Sequence, residues 1–254
     1  MTSLAHAPRL TRHAAEQIAR DIYGIDATSA TLPSERDQNF RLTAANGAGF
    51  VLKVANAAED RGMLEAENAT MRQLAGTGLV PRPIVTRGGE EISRHGPHFV
   101  RLITSLDGAP MGEAVLRSDA LLRDLGRTVG LMDRTLAEFD HPALHRAFHW
   151  DLATAPAVIE QRLPLVRDDE IRGLIAHALE VHRTMVAPRL AACRRAAIHG
   201  DVNDYNVLVD RHAQRVTGIV DFGDMVVSHT VNDVAIAMAY AALGMTDPVG
   251  AAAM

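Results

Sequence analysis

The sequence predicts an α+β fold in which short strands and a helix come first and helices dominate the rest. Three observations carry this. Apolar residues alternate with period two in several short runs between residues 27 and 104. Helical periodicity governs Met63 to Ala75 and returns from Ser118 onward. Two further short apolar runs within Ala197 to Asp224 flank two clusters of acidic residues, as strands that deliver carboxylates at loop ends would. Thr11 to Tyr23 reads as an amphipathic helix with Ala15, Ile18, Ala19 and Ile22 on one side. Strands follow near 27–32, 38–44 and 49–54, with Asn46-Gly47 as a hairpin turn, because these residues tolerate the positive φ such turns require. After the Met63–Ala75 helix, strands near 82–86 and 97–104 close a small sheet. The helical part then runs through Ser118–Phe139, Pro156–Leu163 and Asp168–Cys193.

Composition bounds the function. With 254 residues, 47% of them hydrophobic, the chain can bury a sizeable core. A net charge of −5, with arginines scattered singly, offers no basic stripe for a nucleic acid polymer. The single cysteine, Cys193, excludes an internal disulfide and suits a reducing compartment, so the cytoplasm is the expected location. The N-terminus has no apolar signal core, and the longest apolar run, Val234 to Met245, is too short to span a membrane and reads as a core helix.

Lys53 is the only lysine among 26 basic residues, and it sits inside the apolar run Gly49-Phe50-Val51-Leu52-Lys53-Val54. A compact ammonium on a flexible stem reaches a crowded phosphate site in a way arginine's planar fork does not. On the following helix Leu64, Glu67, Met71 and Leu74 share one stripe, which places a carboxylate on the apolar face. A buried carboxylate needs a cation. Lys53 is the natural partner for Glu67; the alternatives are that Glu67 reaches water or pairs with an arginine such as Arg72.

The densest chemistry lies in Ile198-His199-Gly200-Asp201-Val202-Asn203-Asp204-Tyr205-Asn206 and in Ile219-Val220-Asp221-Phe222-Gly223-Asp224. Phosphoryl transfer from a nucleotide needs a carboxylate for the acceptor's proton, oxygen ligands for Mg²⁺ and a cation on the phosphates. Asp201 fits the first role, Asn206 and Asp221 the second, and Lys53, positioned by Glu67, the third. Two lures fail. Gly47-Ala48-Gly49 lacks a third glycine and joins strands, so it reads as a hairpin, not a phosphate loop. His141, His145 and His149 recur at helical spacing but lack a nearby fourth ligand for zinc.

These motifs resemble the aminoglycoside phosphotransferase and choline kinase superfamily of small-molecule kinases. The spacing of Asp201 to Asn206 equals that of the protein-kinase catalytic loop, and Asp221-Phe222-Gly223 matches its metal-binding triplet. The resemblance covers about residues 30 to 250. It implies a protein-kinase-like two-lobed fold: an N-lobe at 1–103, a hinge at 104–108 where an adenine edge meets backbone near Thr104 to Leu106, and a helical C-lobe at 109–254. It also implies Mg²⁺ and ATP or GTP as phosphoryl donor, with Ser34 and nearby amides capping phosphate oxygens and His199 bracing the catalytic loop.

Gly200 replaces the arginine of protein kinases and no Ala-Pro-Glu follows Asp221, so the acceptor is a small alcohol rather than a polypeptide. Within the superfamily the chain is similar to the hydroxylysine kinase subgroup. The carriers are Asn203 in place of a second histidine, Phe148-His149-Trp150-Asp151-Leu152, and Ser34-Glu35-Arg36-Asp37-Gln38-Asn39-Phe40. An amino-alcohol acceptor needs carboxylates for its ammonium, and Asp204, Asp224 and Asp151 are the candidates, each also suited to capping a loop. The alternatives are an aminoglycoside, homoserine or choline as acceptor, or, in a different class, an inactive nucleotide-binding module. Relatives usually continue for several more helices, so the chain reads as a truncated member or the kinase portion of a fusion, and similar modules occur ahead of class III aminotransferases.

Overall fold

In a computed structural model, which describes residues 6–34 and 36–254, the chain divides into two units. The first runs to Ala109 and takes in Leu208–Arg211 and Thr217–Gly223. The second holds Pro110–Val207, His212–Val216 and Asp224–Met254. The expected helical part, 109–254, therefore loses two short segments to the first unit, because the residues around Asp221 pack there.

In the first unit, Thr11 caps helix α1 (Arg12–Ile18), its Oγ1 accepting the Ala14 N–H at 3.1 Å, and a π turn extends the helix to Tyr23. Strands β1 (Ala27–Leu32), β2 (Gln38–Ala44) and β3 (Gly49–Val54) fall where the alternation places them. Gly47, at φ +84°, supplies the turn between β2 and β3. Asp60 caps helix α2 (Arg61–Leu74), accepting the Gly62 N–H at 2.8 Å. Strand β4 is only Pro83–Ile84, shorter than expected, because Thr86 already turns the chain by bonding Glu90. Strands β5 (Ser93–His95) and β6 (His98–Thr104) complete an antiparallel sheet of order β1-β2-β3-β6-β4, with β5 on β6.

The period-two rule explains how this sheet serves chemistry. Phe40, Leu42, Leu52, Val54, Val100 and Leu102 point to one face and are buried against Ala15, Ile18, Ala19 and Tyr23 of the first helical segment. Burying such side chains stabilises the unit by roughly 1.5–3 kcal/mol each. The residues between them, Lys53 and Arg101, therefore emerge on the other face.

The second unit begins within β7 (Ala109–Pro110) and leads to α3 (Asp119–Thr135), capped by Ser118 Oγ on the Leu121 N–H. Helices α4 (Ala155–Arg162), α5 (Asp169–Val181) and α6 (Ala187–Leu190) follow. Strand β8 (Arg195–Ile198) leads to the loop at 199–206; β9 (Val207–Val209) and β10 (Val216–Ile219), whose residues from 208 and from 217 belong to the first unit, are hydrogen-bonded neighbours. Strand β11 (Val226–His229) pairs antiparallel with β8, and α7 (Val231–Ala242) and α8 (Pro248–Ala253) end the chain as given.

Helix α7 differs from the expected core helix. It buries Asn232, Asp233, Ala237 and Ala241, whereas Val234, Met238 and Leu243 are exposed. Two of its inward positions are polar: Asp233 accepts from the loop at 199–200 and Asn232 donates to Ser228. Cys193 is a free thiol, and no described helix is long and apolar enough to cross a membrane.

Candidate active site

Antiparallel register places Lys53 directly opposite Arg101, two cations side by side on one sheet face. Each takes its own carboxylate. Lys53 Nζ donates to Asp221 Oδ1 at 3.2 Å, and Arg101 Nη2 donates to Glu67 Oε2 at 2.6 Å. The expected direct Lys53–Glu67 pair is thus replaced by Glu67–Arg101. Arginine wins because its fork also donates Nη1 to Leu64 O at 3.2 Å and to Asn68 Oδ1 at 2.9 Å, a set one ammonium cannot reproduce. Arg72, the other arginine considered, pairs with Glu91. Glu67 still acts on Lys53 through space. Burial works to lower the lysine's pKa, but Asp221 and then Glu67 outweigh it and hold it above the usual value, so the ammonium stays charged.

Asp221 sits at φ +65°, an uncommon conformation for a side-chain-bearing residue, with its side chain 57% exposed. Its carboxylate is presented rather than buried. Such outliers cluster at functional sites.

In the second unit the loop after β8 is organised around Asp201. Asn203 Nδ2 and Asn206 Nδ2 both donate to Asp201 Oδ2 at 2.9 Å, and Asn206 Nδ2 also reaches the Asp201 carbonyl at 2.9 Å. Asn203 Oδ1 accepts the Tyr205 N–H at 2.8 Å and the Asn206 N–H at 3.0 Å, which closes the turn. Since its nitrogen faces Asp201, the Asn206 amide oxygen is turned away from that carboxylate.

The base of the loop is held from α7. Asp233 Oδ2 accepts the His199 N–H and its Oδ1 the Gly200 N–H, both at 2.8 Å. His199 is fully buried, and its Nδ1 accepts the Asp201 N–H at 3.3 Å, a bracing contact. Gly200 adopts φ +80°, and a Cβ there would lie 2.5 Å from the Asp224 carbonyl oxygen. Gly200→Ala is therefore expected to cost at least about 2 kcal/mol, from left-handed strain plus the clash. Chemical denaturation checks it; a change within about 0.5 kcal/mol, the range of an ordinary surface substitution, would contradict this reading.

Two of the expected acceptor carboxylates are engaged elsewhere. Asp204 is buried and pairs with Arg117 Nη2 at 2.8 Å, while Arg117 Nη1 caps the Tyr240, Ala241 and Leu243 carbonyls at the end of α7. Asp204 thus ties the loop, through Arg117, to a helix terminus. Asp151 is also buried, its Oδ1 accepting from Ser228 Oγ at 2.7 Å and the Ala153 N–H at 3.0 Å. Asp224 is half-buried in the Phe222–Asp224 turn.

At the segment expected to meet adenine, the Thr104 N–H is taken by Arg82 O at 2.9 Å, and Thr104 Oγ1 accepts the Arg82 N–H. The Ser105 N–H goes to Gly49 O at 2.9 Å, so the amides of Thr104 and Ser105 are both taken within the fold. Leu106 packs its side chain over Gly218. Ser34 is exposed in the connection between β1 and β2, and Glu35, next to it, lies outside the described residues. His141, His145 and His149 go to separate partners: the Ala143 N–H, Asp140 and the Trp150 ring. Among the described residues no group of three or more His, Cys, Asp or Glu converges.

The family described as "Phosphotransferase enzyme family" matches residues 30–253. The chain belongs to that family. It is 29% identical to a hydroxylysine kinase from Xenopus laevis over 96% of this chain and 73% of the relative. A hydroxylysine kinase from Mus musculus is likewise 29% identical, over 95% and 72%. Among solved structures, an amicoumacin kinase in complex with AMP-PNP, Ca²⁺ and Ami superposes with a TM-score of 0.65 at 15% identity, covering 92% of this chain and 70% of that one. The fold is kinase-like, and the protein is a small-molecule phosphotransferase.

Sequence reasoning missed several residues that hold this phosphotransferase site. Arg101 carries the same signal as Lys53, a charge inside an apolar run, Phe99-Val100-Arg101-Leu102-Ile103. Asn203 is visible only as a departure from the family pattern, yet it supplies one of the two amides on Asp201. Arg117 carries no local signal, because Asp204 is 87 positions away in sequence.

Proposed function

We propose that this phosphotransferase uses Mg²⁺ to move the γ-phosphoryl group of ATP or GTP onto the hydroxyl of a small hydroxylated amine or amino acid, hydroxylysine first, in the cytoplasm. The observation that carries the acceptor is the similarity to hydroxylysine kinases along at least 95% of the chain. The loop supports the reaction type, with a carboxylate fixed by two amides and a sole lysine held charged on the other unit.

In this reading Asp201 accepts or orients the acceptor's hydroxyl proton. The acceptor oxygen forms its bond to the γ-phosphorus as the bond to the bridging β,γ-oxygen breaks, and the nucleoside diphosphate leaves. The acceptor attacks directly and no phosphoenzyme forms. Lys53 neutralises phosphate charge, and Asn206 and Asp221 would hold the metal. Bound Mg²⁺ supplies charge neutralisation on the phosphate oxygens.

Asp221→Ala is expected to weaken nucleotide binding at least about tenfold with Mg²⁺ and little in its absence, since a charge-assisted ligand contact is worth about 1.5–3 kcal/mol. Calorimetric titration with and without chelator reads this; equal loss under both conditions would contradict a metal-ligand role. The function itself is tested by nucleotide consumption across hydroxylysine, homoserine, choline, ethanolamine and an aminoglycoside. Stimulation greatest with hydroxylysine supports the reading. Nucleotide binding that no acceptor converts to turnover would overturn it.

A further inference from the structure

Helix α3 carries a carboxylate at the C-terminal end of its buried stripe. Leu121, Leu122, Leu125, Val129 and Met132 line that stripe, and Asp133 belongs to it at 6% exposure. Helix α3 packs on α7, and there Asp133 lies within hydrogen-bonding reach of the side chain of Asp233, which is fully buried. Two carboxylates in such contact away from water do not both ionise, so one proton lies between them.

The surroundings decide where it sits. Both Asp233 oxygens accept backbone N–H groups, from His199 and from Gly200. Amide donors favour the anion, so Asp233 is the ionised member and Asp133 holds the proton as an O–H donor. Among the described residues Asp133 Oδ1 has no hydrogen-bond partner, which leaves the other oxygen to face Asp233.

Few other charges bear on the pair. Arg194, just before β8, acts on Asp133, and the His199 ring acts on Asp233. Arg195 of β8 is exposed and donates to Val227 O, while α8, also packed on α3, contains no ionisable side chain.

We propose that Asp133 is a positioning residue whose protonated carboxyl locks the Asp233 carboxylate onto the His199 and Gly200 amides, so that loss of this proton loosens the loop carrying Asp201. The proposal rests on the kinase reading only in its turnover arm. Burial first, and then the Asp233 charge, push the Asp133 carboxyl up to about 7, with Arg194 working against them. A folded-state pKa above the unfolded one stabilises the protein fully below the unfolded value of about 3.9, and this stabilisation is lost as pH rises through about 7. The lock is closed in mild acid and open in mild alkali.

The test follows melting temperature and turnover from pH 5.5 to 9 in the wild type and in Asp133→Asn, whose amide donates to Asp233 at every pH. In the wild type, melting temperature is expected to fall as pH approaches 7 and then level off. Turnover falls above pH 7 by up to about tenfold per unit where the protonated form alone is competent. Asp133→Asn is expected to flatten both profiles while matching wild-type turnover near pH 6, and Asp133→Ala to lose turnover even there. An Asn variant that keeps the wild-type slopes, or an Ala variant that behaves like Asn, overturns the proposal. Infrared spectra of the wild type need no variant: a protonated-carboxyl band present at pH 6 and lost by pH 8.5 supports the lock, and its absence at pH 6 overturns it. If no acceptor gives turnover, the kinase reading fails while the melting and infrared arms still decide the lock.

Discussion

Asp201→Ala is expected to lower turnover by about 10²–10⁴-fold, the range a positioned general base contributes, while nucleotide affinity stays within about twofold of wild type. The separation follows from the groups involved. Asp201 is bound by Asn203 and Asn206 on one oxygen, an arrangement that fixes a carboxylate's direction and gives it no part in gripping phosphate. Removing it should also release Asn206, so a modest change in metal dependence accompanies the loss. Asp201→Asn leaves a side chain of the same shape that cannot take a proton, and is expected to be as inactive as the alanine variant. Steady-state kinetics and nucleotide titration on both variants check this. Retained turnover in Asp201→Asn would remove Asp201 from the proton's path.

The largest effect on stability is expected at Glu67. Its side chain is 7% exposed and that of Arg101 is 3% exposed, so each ion has exchanged water for its partner. Glu67→Ala leaves the Arg101 guanidinium buried and unpaired beside the Lys53 ammonium, at a cost of about 3–5 kcal/mol. Removing both ions together in Glu67→Met with Arg101→Met is expected to cost far less than the sum of the two single changes, because the uncompensated charge disappears with its partner. Denaturant unfolding of the two single variants and the double variant measures the coupling. Simple additivity would mean that the pair is not the unit that holds α2 to the sheet.

Strand positions were legible because a period of two fixes them locally. Residues 27–32, 38–44 and 49–54 alternate without ambiguity, and the Asn46-Gly47 turn sets the register between the last two. The nucleophile-side loop was legible for a different reason: Asp201, Asn206 and Asp221 belong to short motifs whose spacing survives without the rest of the fold. Partner choice was not legible. That Lys53 stands opposite Arg101 depends on the pairing of β3 with β6, about 48 residues apart in sequence, and only this explains why Glu67 turns to arginine. Asp204 and Asp151 looked like ligand carboxylates by type and place, but Arg117 and Ser228 reach them from elsewhere in the chain. Helix α7 misled for a related reason. Its apolar composition suggested a core element, whereas its buried positions include Asn232 and Asp233, which bond Ser228 and the His199–Gly200 amides, and several of its large apolar side chains are exposed.

The most direct test is to follow labelled γ-phosphate from ATP or GTP in the presence of Mg²⁺ and either hydroxylysine or lysine, which differ by the single hydroxyl proposed to be phosphorylated. Label carried into hydroxylysine, absent with lysine and absent with Asp201→Ala, is the expected result. Label that remains on nucleotide or appears as inorganic phosphate regardless of acceptor would contradict the assignment of this phosphotransferase as a hydroxylysine-class kinase.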